Sequence, residues 1–87
     1  MSGMFSLEGR VALVTGASRG LGFAMAKALK DNGATVILNA RSATDLETAA
    51  AKIGAEAMAF DVTDAKVARE ALEDIVGVHG KLDILVN

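Results

Sequence analysis

Two patterns of apolar residues alternate along this chain. Short runs rich in β-branched or apolar side chains occur at Val11–Val14, Thr35–Leu38, Ala57–Phe60 and Leu82–Val86. Runs of that length, bounded by turn-forming residues, read as buried strands. Between them apolar residues recur at helical spacing: Leu21, Ala24, Met25, Ala28 and Leu29, then Leu46, Ala49, Ala50 and Ile53, then Val67, Ala71, Leu72, Ile75 and Val76. The first helical stretch should stop at Asn32-Gly33 and the second at Gly54. Ser42 followed by Asp45 has the form of a capping box, with aspartate in place of the usual glutamate. The third helix is expected to be capped by Thr63 and broken by Gly77 and Gly80. The stretch AEAMAF has poor β-propensity and would suit a helix equally. Gly54 and Asp61, which punctuate it, decide for a strand. Strands alternating with helices predict an α/β fold, a parallel sheet in βαβαβαβ order joined by right-handed crossovers.

The first strand runs straight into Gly16, Ala17, Ser18, Arg19, Gly20, Leu21 and Gly22, and a helix follows with no gap. Each glycine has work to do in that setting. Gly16 lets the chain turn sharply off the strand. Gly20 lets backbone N–H groups approach a pyrophosphate, and Gly22 lets the helix pack tightly onto the sheet. The free N–H groups and positive dipole end of the helix then face the anion. A plain strand-to-helix turn also uses glycines, but here strand, loop, helix and second strand all fall where a dinucleotide site needs them.

The segment from Thr15 to Gly22, TGxxxGxG rather than GxGxxG, resembles the signature of the short-chain dehydrogenases/reductases of classical type. The lead-in FSLEGRVALVTGASRGLG is similar to the same family, especially its 3-oxoacyl-carrier-protein reductases and gluconate 5-dehydrogenases. Asp61-Val62 resembles the family's adenine-contacting pair. LDILVN resembles the strand leading into its Asn-Asn-Ala-Gly motif, with Asn87 as the first asparagine. The resemblance spans Phe5 to Asn87. It implies a Rossmann-type fold, with residues 1–87 as the N-terminal dinucleotide-binding half of a single domain. Its implied cofactor-binding residues are Gly16, Ser18, Arg19, Gly20, Leu21, Gly22, Arg41, Asp61, Val62 and Asn87.

Charge chooses between the two nicotinamide dinucleotides. An acidic residue ending the second strand would accept from the ribose hydroxyls of NAD and repel a 2′-phosphate. Here TVILNAR puts Ala40 at that place and Arg41 after it, and a guanidinium can hold a phosphate through two parallel hydrogen bonds. Arg19 is a second cation within reach. Either arginine could instead be a solvated surface residue, as most are. The two together, with the acid missing, point to NADP(H).

Composition narrows the rest. The chain has 87 residues, 52% of them hydrophobic, with a net charge of −2 and both signs interspersed. It should fold, as a single unit at most, and it has no basic stripe for nucleic acid. Cysteine is absent, which excludes disulfides and thiolate metal sites. The start MSGMFSLEGR lacks a signal-peptide pattern and no apolar run reaches the length of a membrane span, so a cytoplasmic, soluble protein is expected. His79 suits a helix end and has nothing beside it to complete a dyad. Asp61 and Asp64 lack the further oxygen ligands a metal needs, and Met25 and Met58 read as core filler.

The family resemblance implies a catalytic tyrosine, a lysine four positions later, a serine and an asparagine, acting on a small carbonyl or alcohol substrate. This chain contains no tyrosine, and its serines lie at the terminus or near the phosphate end. No catalytic residue is assigned, and the 87-residue segment alone is expected to be inactive. The last strand should be an apolar edge, covered by more chain, a complementary fragment or a second copy; a homo-oligomer, a tetramer by resemblance, is expected of the complete protein. Two other readings remain: a non-catalytic nucleotide-binding or assembly module, and a methyltransferase using S-adenosylmethionine, which the missing acid disfavours.

Overall fold

Strands Val11–Val14 (β1), Thr35–Ala40 (β2), Glu56–Ala59 (β3) and Ile84–Val86 (β4) pair in parallel in the order β3-β2-β1-β4. The computed structural model describes residues 6–87. Phe5, where the resemblance begins, and the first residues scanned for a leader lie outside them. Helices Gly20–Asp31 (α1), Ala43–Ile53 (α2) and Ala65–His79 (α3) fill the crossovers.

The sheet is built from the twofold alternation of its central strands. Ala12 and Val14 share one face with Val36, Leu38 and Ala40, and there they meet Ala26 of α1 and Leu46, Ala49 and Ala50 of α2. Val11, Leu13 and Ile37 take the other face against Ile75 of α3, with Met58, Phe60, Leu72 and Leu82 around them. All four residues of β1 are buried, as a strand covered on both sides requires. Burying a leucine as fully as Leu46, which is 0% exposed, contributes about 1.5–3 kcal/mol. Right-handed crossovers put α1 and α2 on one face while strand order runs outward from β1 to β3. The return to β4, on the far side of β1, puts α3 on the opposite face. The order therefore reverses between β1 and β4, and the carboxyl ends of those strands frame a crevice.

The boundaries differ from expectation at several points. β2 runs two residues further, through Asn39 and Ala40, because Asn39 finds partners inside the core. β4 starts at Ile84. Asp83, just before it, grips β1 from both sides: its N–H donates to the Val11 carbonyl at 2.9 Å and its carboxylate accepts from the Val11 N–H at 2.8 Å. Asp64, rather than Thr63, caps α3, accepting from the amides of Lys66 and Val67. Thr63 is occupied with Asp61 instead. The capping box at α2 does not form, since Ser42 is the N-cap residue but its side chain makes no cap hydrogen bond. Gly77 stays inside α3, where a single glycine costs about 1 kcal/mol without breaking the helix; the stop is Gly80, in the left-handed region at φ 83°. Met25 is not core filler, being 39% exposed, whereas Met58 is partly buried against the second cluster.

Candidate functional site

The glycine-rich turn leaves the end of β1, tied on both sides. Thr15 N–H donates to the Val86 carbonyl (2.9 Å), and its hydroxyl lies within donating distance of Val86 O (3.2 Å) and Asn87 Oδ1 (3.1 Å). Ala17 N–H donates to the Asn39 carbonyl at the end of β2 (2.9 Å). Gly16 and Gly20 adopt left-handed backbone, φ 62° and 68°, and a Cβ on either would enter open space. Gly22 is different: its missing Cβ would lie 2.9 Å from Gly16 O and 3.3 Å from Ala17 Cα. What it permits is contact between α1 and the turn itself, rather than the helix-on-sheet contact expected. Arg19 is the N-cap residue of α1 and offers no side-chain cap, and the first helical turn holds no acidic residue. The amides there keep their donors and their positive potential for an anion.

Two cavities open beside this turn. One, of about 380 Å³, is lined by Thr15, Gly16, Leu21, Gly22, Met25, Val62, Val86 and Asn87. It lies at the β1/β4 reversal and gathers five of the candidate residues: Gly16, Leu21, Gly22, Val62 and Asn87. The other, of about 410 Å³, is lined by Ser18, Arg19 and Gly20 together with Phe23, Asp45, Thr48, Ala49 and Lys52. Both positive-φ glycines, open toward solvent and set before an uncapped helix start, suit an extended anionic ligand. The cradle fits a dinucleotide diphosphate on the turn.

Asp61 and Arg41 line neither of these cavities. The Asp61 carboxylate accepts from Thr63 Oγ1 at 2.6 Å and Thr63 N at 2.9 Å. Those two hydrogen bonds hold its pKa below the usual value, slight burial opposes them, and the positive charge of Arg41 adds to the lowering. Arg41 is exposed and does not line the groove that holds Arg19. Its charge is felt on the Asp61 side.

Asn39 was not among the candidates. It is 2% exposed, and its Nδ2 donates to the carbonyls of Met58 and Phe60, each at 3.0 Å. One polar residue inside the apolar run TVILNA was the available signal. His79 also departs from expectation, for a carboxylate does stand beside it: Nε2 is 3.1 Å from Glu56 Oε2. That pair joins the C-terminus of α3 to the start of β3, at the opposite end of the sheet from the glycine turn. Among the described residues no three His, Cys, Asp or Glu side chains gather as a metal site. No helix among them is long and apolar enough to cross a membrane.

Comparison with known proteins adds an independent finding. A family model described as short chain dehydrogenase matches residues 10–87. Gluconate 5-dehydrogenase of Gluconobacter oxydans (strain 621H) is 44% identical over 89 aligned positions, covering 97% of this chain and 35% of that protein. A 3-oxoacyl-acyl-carrier-protein reductase of Salmonella typhimurium is 43% identical, covering 94% of this chain and 34% of that one. Among solved structures, one described as the Pseudomonas aeruginosa RhlG/NADP active-site complex superposes with a TM-score of 0.88 and 38% identity, over 95% of this chain and 34% of its own. The chain thus spans about a third of the length of these relatives.

Proposed function

Because this chain belongs to the short-chain dehydrogenase family, we propose that residues 1–87 are the N-terminal dinucleotide-binding half of one Rossmann-type domain, specific for NADP(H), in an oxidoreductase acting on a carbonyl or secondary alcohol. The observation that carries this reading is the turn itself: two left-handed glycines, open in front, leading into an uncapped helix beside Arg19. Gly16, Ser18, Gly20, Leu21 and Gly22 would hold the diphosphate region. Asp61 and Val62 would border the adenine, with Asn87 at the inner end of the crevice. Arg19 and Arg41 would take the 2′-phosphate from two sides; Ala40, at the end of β2, presents no carboxylate to repel it. When bound, the cofactor supplies or accepts the hydride. The P. aeruginosa neighbour, described as an NADP complex, supports the phosphorylated cofactor.

Fluorescence titration with NADPH and NADH tests the reading, and Arg41→Asp tests its charge argument. The variant should lose at least about tenfold in NADPH affinity, a difference of about 1.4 kcal/mol, while NADH binds as well or better. An unchanged NADPH/NADH preference in the variant removes Arg41 from the site. NADPH binding without turnover of any carbonyl by the intact protein would favour the assembly-module reading over an oxidoreductase.

A further inference from the structure

One residue bonds to both of the turns that border the 380 Å³ cavity. Asn39 lies near the buried end of β2, one residue before Ala40, and its backbone carbonyl accepts from Ala17 N–H in the glycine-rich turn. Its side chain holds the other wall, donating both Nδ2 hydrogens to Met58 O and Phe60 O, just before Asp61 and Val62. An apolar residue there would leave two carbonyls without these donors, and a carboxylate would set two acceptors against two acceptors. Such orphaned groups cost free energy wherever water cannot replace the partner. A core asparagine needs no such arrangement for packing alone. Leucine fills nearly the same volume, and the β2 neighbours Ile37 and Leu38 are apolar and fully buried.

We propose that Asn39 is a positioning residue for the adenosine end of the cofactor, its amide fixing the Asp61–Val62 turn at a set distance from the glycine-rich turn. This rests on the dinucleotide reading and deepens it. The backbone carbonyl of Asn39 survives any side-chain substitution, so the Ala17 tie and the glycine-rich turn stay in place. Only the far wall of the cavity is released. A ligand that touches the glycine-rich turn alone should not sense the change, and one that spans both turns should.

The test compares inorganic pyrophosphate with adenosine 2′,5′-bisphosphate, binding to the protein and to its Asn39→Leu and Asn39→Asp variants, with urea unfolding of each. Release of the Asp61–Val62 wall predicts a weakening of adenosine 2′,5′-bisphosphate by about tenfold or more, while pyrophosphate affinity stays within about twofold. Equal loss for both ligands, or no loss for either, overturns the proposal. Should the variants not fold, hydrogen exchange on the unaltered protein decides. The Asn39 side-chain amide should be protected further by adenosine 2′,5′-bisphosphate and not by pyrophosphate, and equal protection by the two overturns the proposal. If the unaltered protein binds neither ligand, the dinucleotide reading itself fails, an outcome distinct from binding that ignores Asn39.

Discussion

A methyl group added at Gly22 would meet the Gly16 carbonyl oxygen at 2.9 Å and Ala17 Cα at 3.3 Å, backbone atoms that cannot swing aside as a side chain would. Gly22→Ala therefore has to push α1 off the turn. Overpacking of this kind costs about 1–3 kcal/mol, offset by up to about 1 kcal/mol of better helix propensity. The expected outcome is a modest fall in urea midpoint together with a marked loss of NADPH affinity, because the displaced atoms are those that shape the cradle. Full stability with full affinity would show that the contact gives way easily. At this scale the sharp turn at Gly16 and the helix stop at Gly54 were legible from spacing and chain position, whereas Gly22 meets the turn instead of the sheet and Gly77 does not break α3. Asn39 and Asp64 were not legible. A buried asparagine looks like the end of a strand until its acceptors, nineteen and twenty-one residues away, are known. Between adjacent Thr63 and Asp64, the choice of cap depended on Thr63 bonding back to Asp61.

β4 is the shortest strand, three residues in register with Ala12, Leu13 and Val14, and it takes much of its alignment from Asp83. The Val11 N–H that its carboxylate accepts holds the Asp83 pKa below the usual range, partial burial opposes this, and Lys81 (3.4 Å) and Arg10 (3.7 Å) assist. A carboxyl whose pKa is depressed by folding stabilises the fold above its unfolded value. That contribution disappears as pH falls through the folded value. Stability should therefore decline from about pH 5 downward. In Asp83→Asn the slope should be shallower, since an amide oxygen still accepts from Val11 but no longer titrates. Some slope should remain, because Asp61 is depressed too. Urea midpoints across the acid range read this directly, and identical slopes in the two proteins would exclude Asp83 as its source. The elements themselves were legible because period 2 and period 3.6 rarely mimic each other over such lengths. Their ends were less so. The residues that finish β2 and start β4 answer to partners across the sheet rather than to their own neighbours.

Parallel pairing follows from the alternation of strands and helices and could be read in advance; right-handed crossovers alone leave more than one strand order open, and the structure selects β3-β2-β1-β4. What could not be read is that the crevice at the β1/β4 reversal collects its walls from three separate strand ends: Thr15 after β1, Val62 after β3, and Val86 and Asn87 at β4. A dinucleotide lying there would join parts that otherwise meet through few bonds. Its binding energy should then appear as cooperative stability of the whole unit. At NADPH concentrations one hundred times the dissociation constant, linkage adds about 2.7 kcal/mol. For a cooperative unit of about 60–100 residues each kcal/mol moves the melting temperature by about 4–8 °C, so a rise of roughly 10 °C or more is expected. NADH at the same concentration should give less, because Arg19 and Arg41 would find no 2′-phosphate to bind. S-adenosylmethionine should give none, because it has no diphosphate to place at the uncapped start of α1. A melting temperature raised equally by S-adenosylmethionine and NADPH would mean that the crevice reads only an adenosine, and the open glycines would then need another explanation.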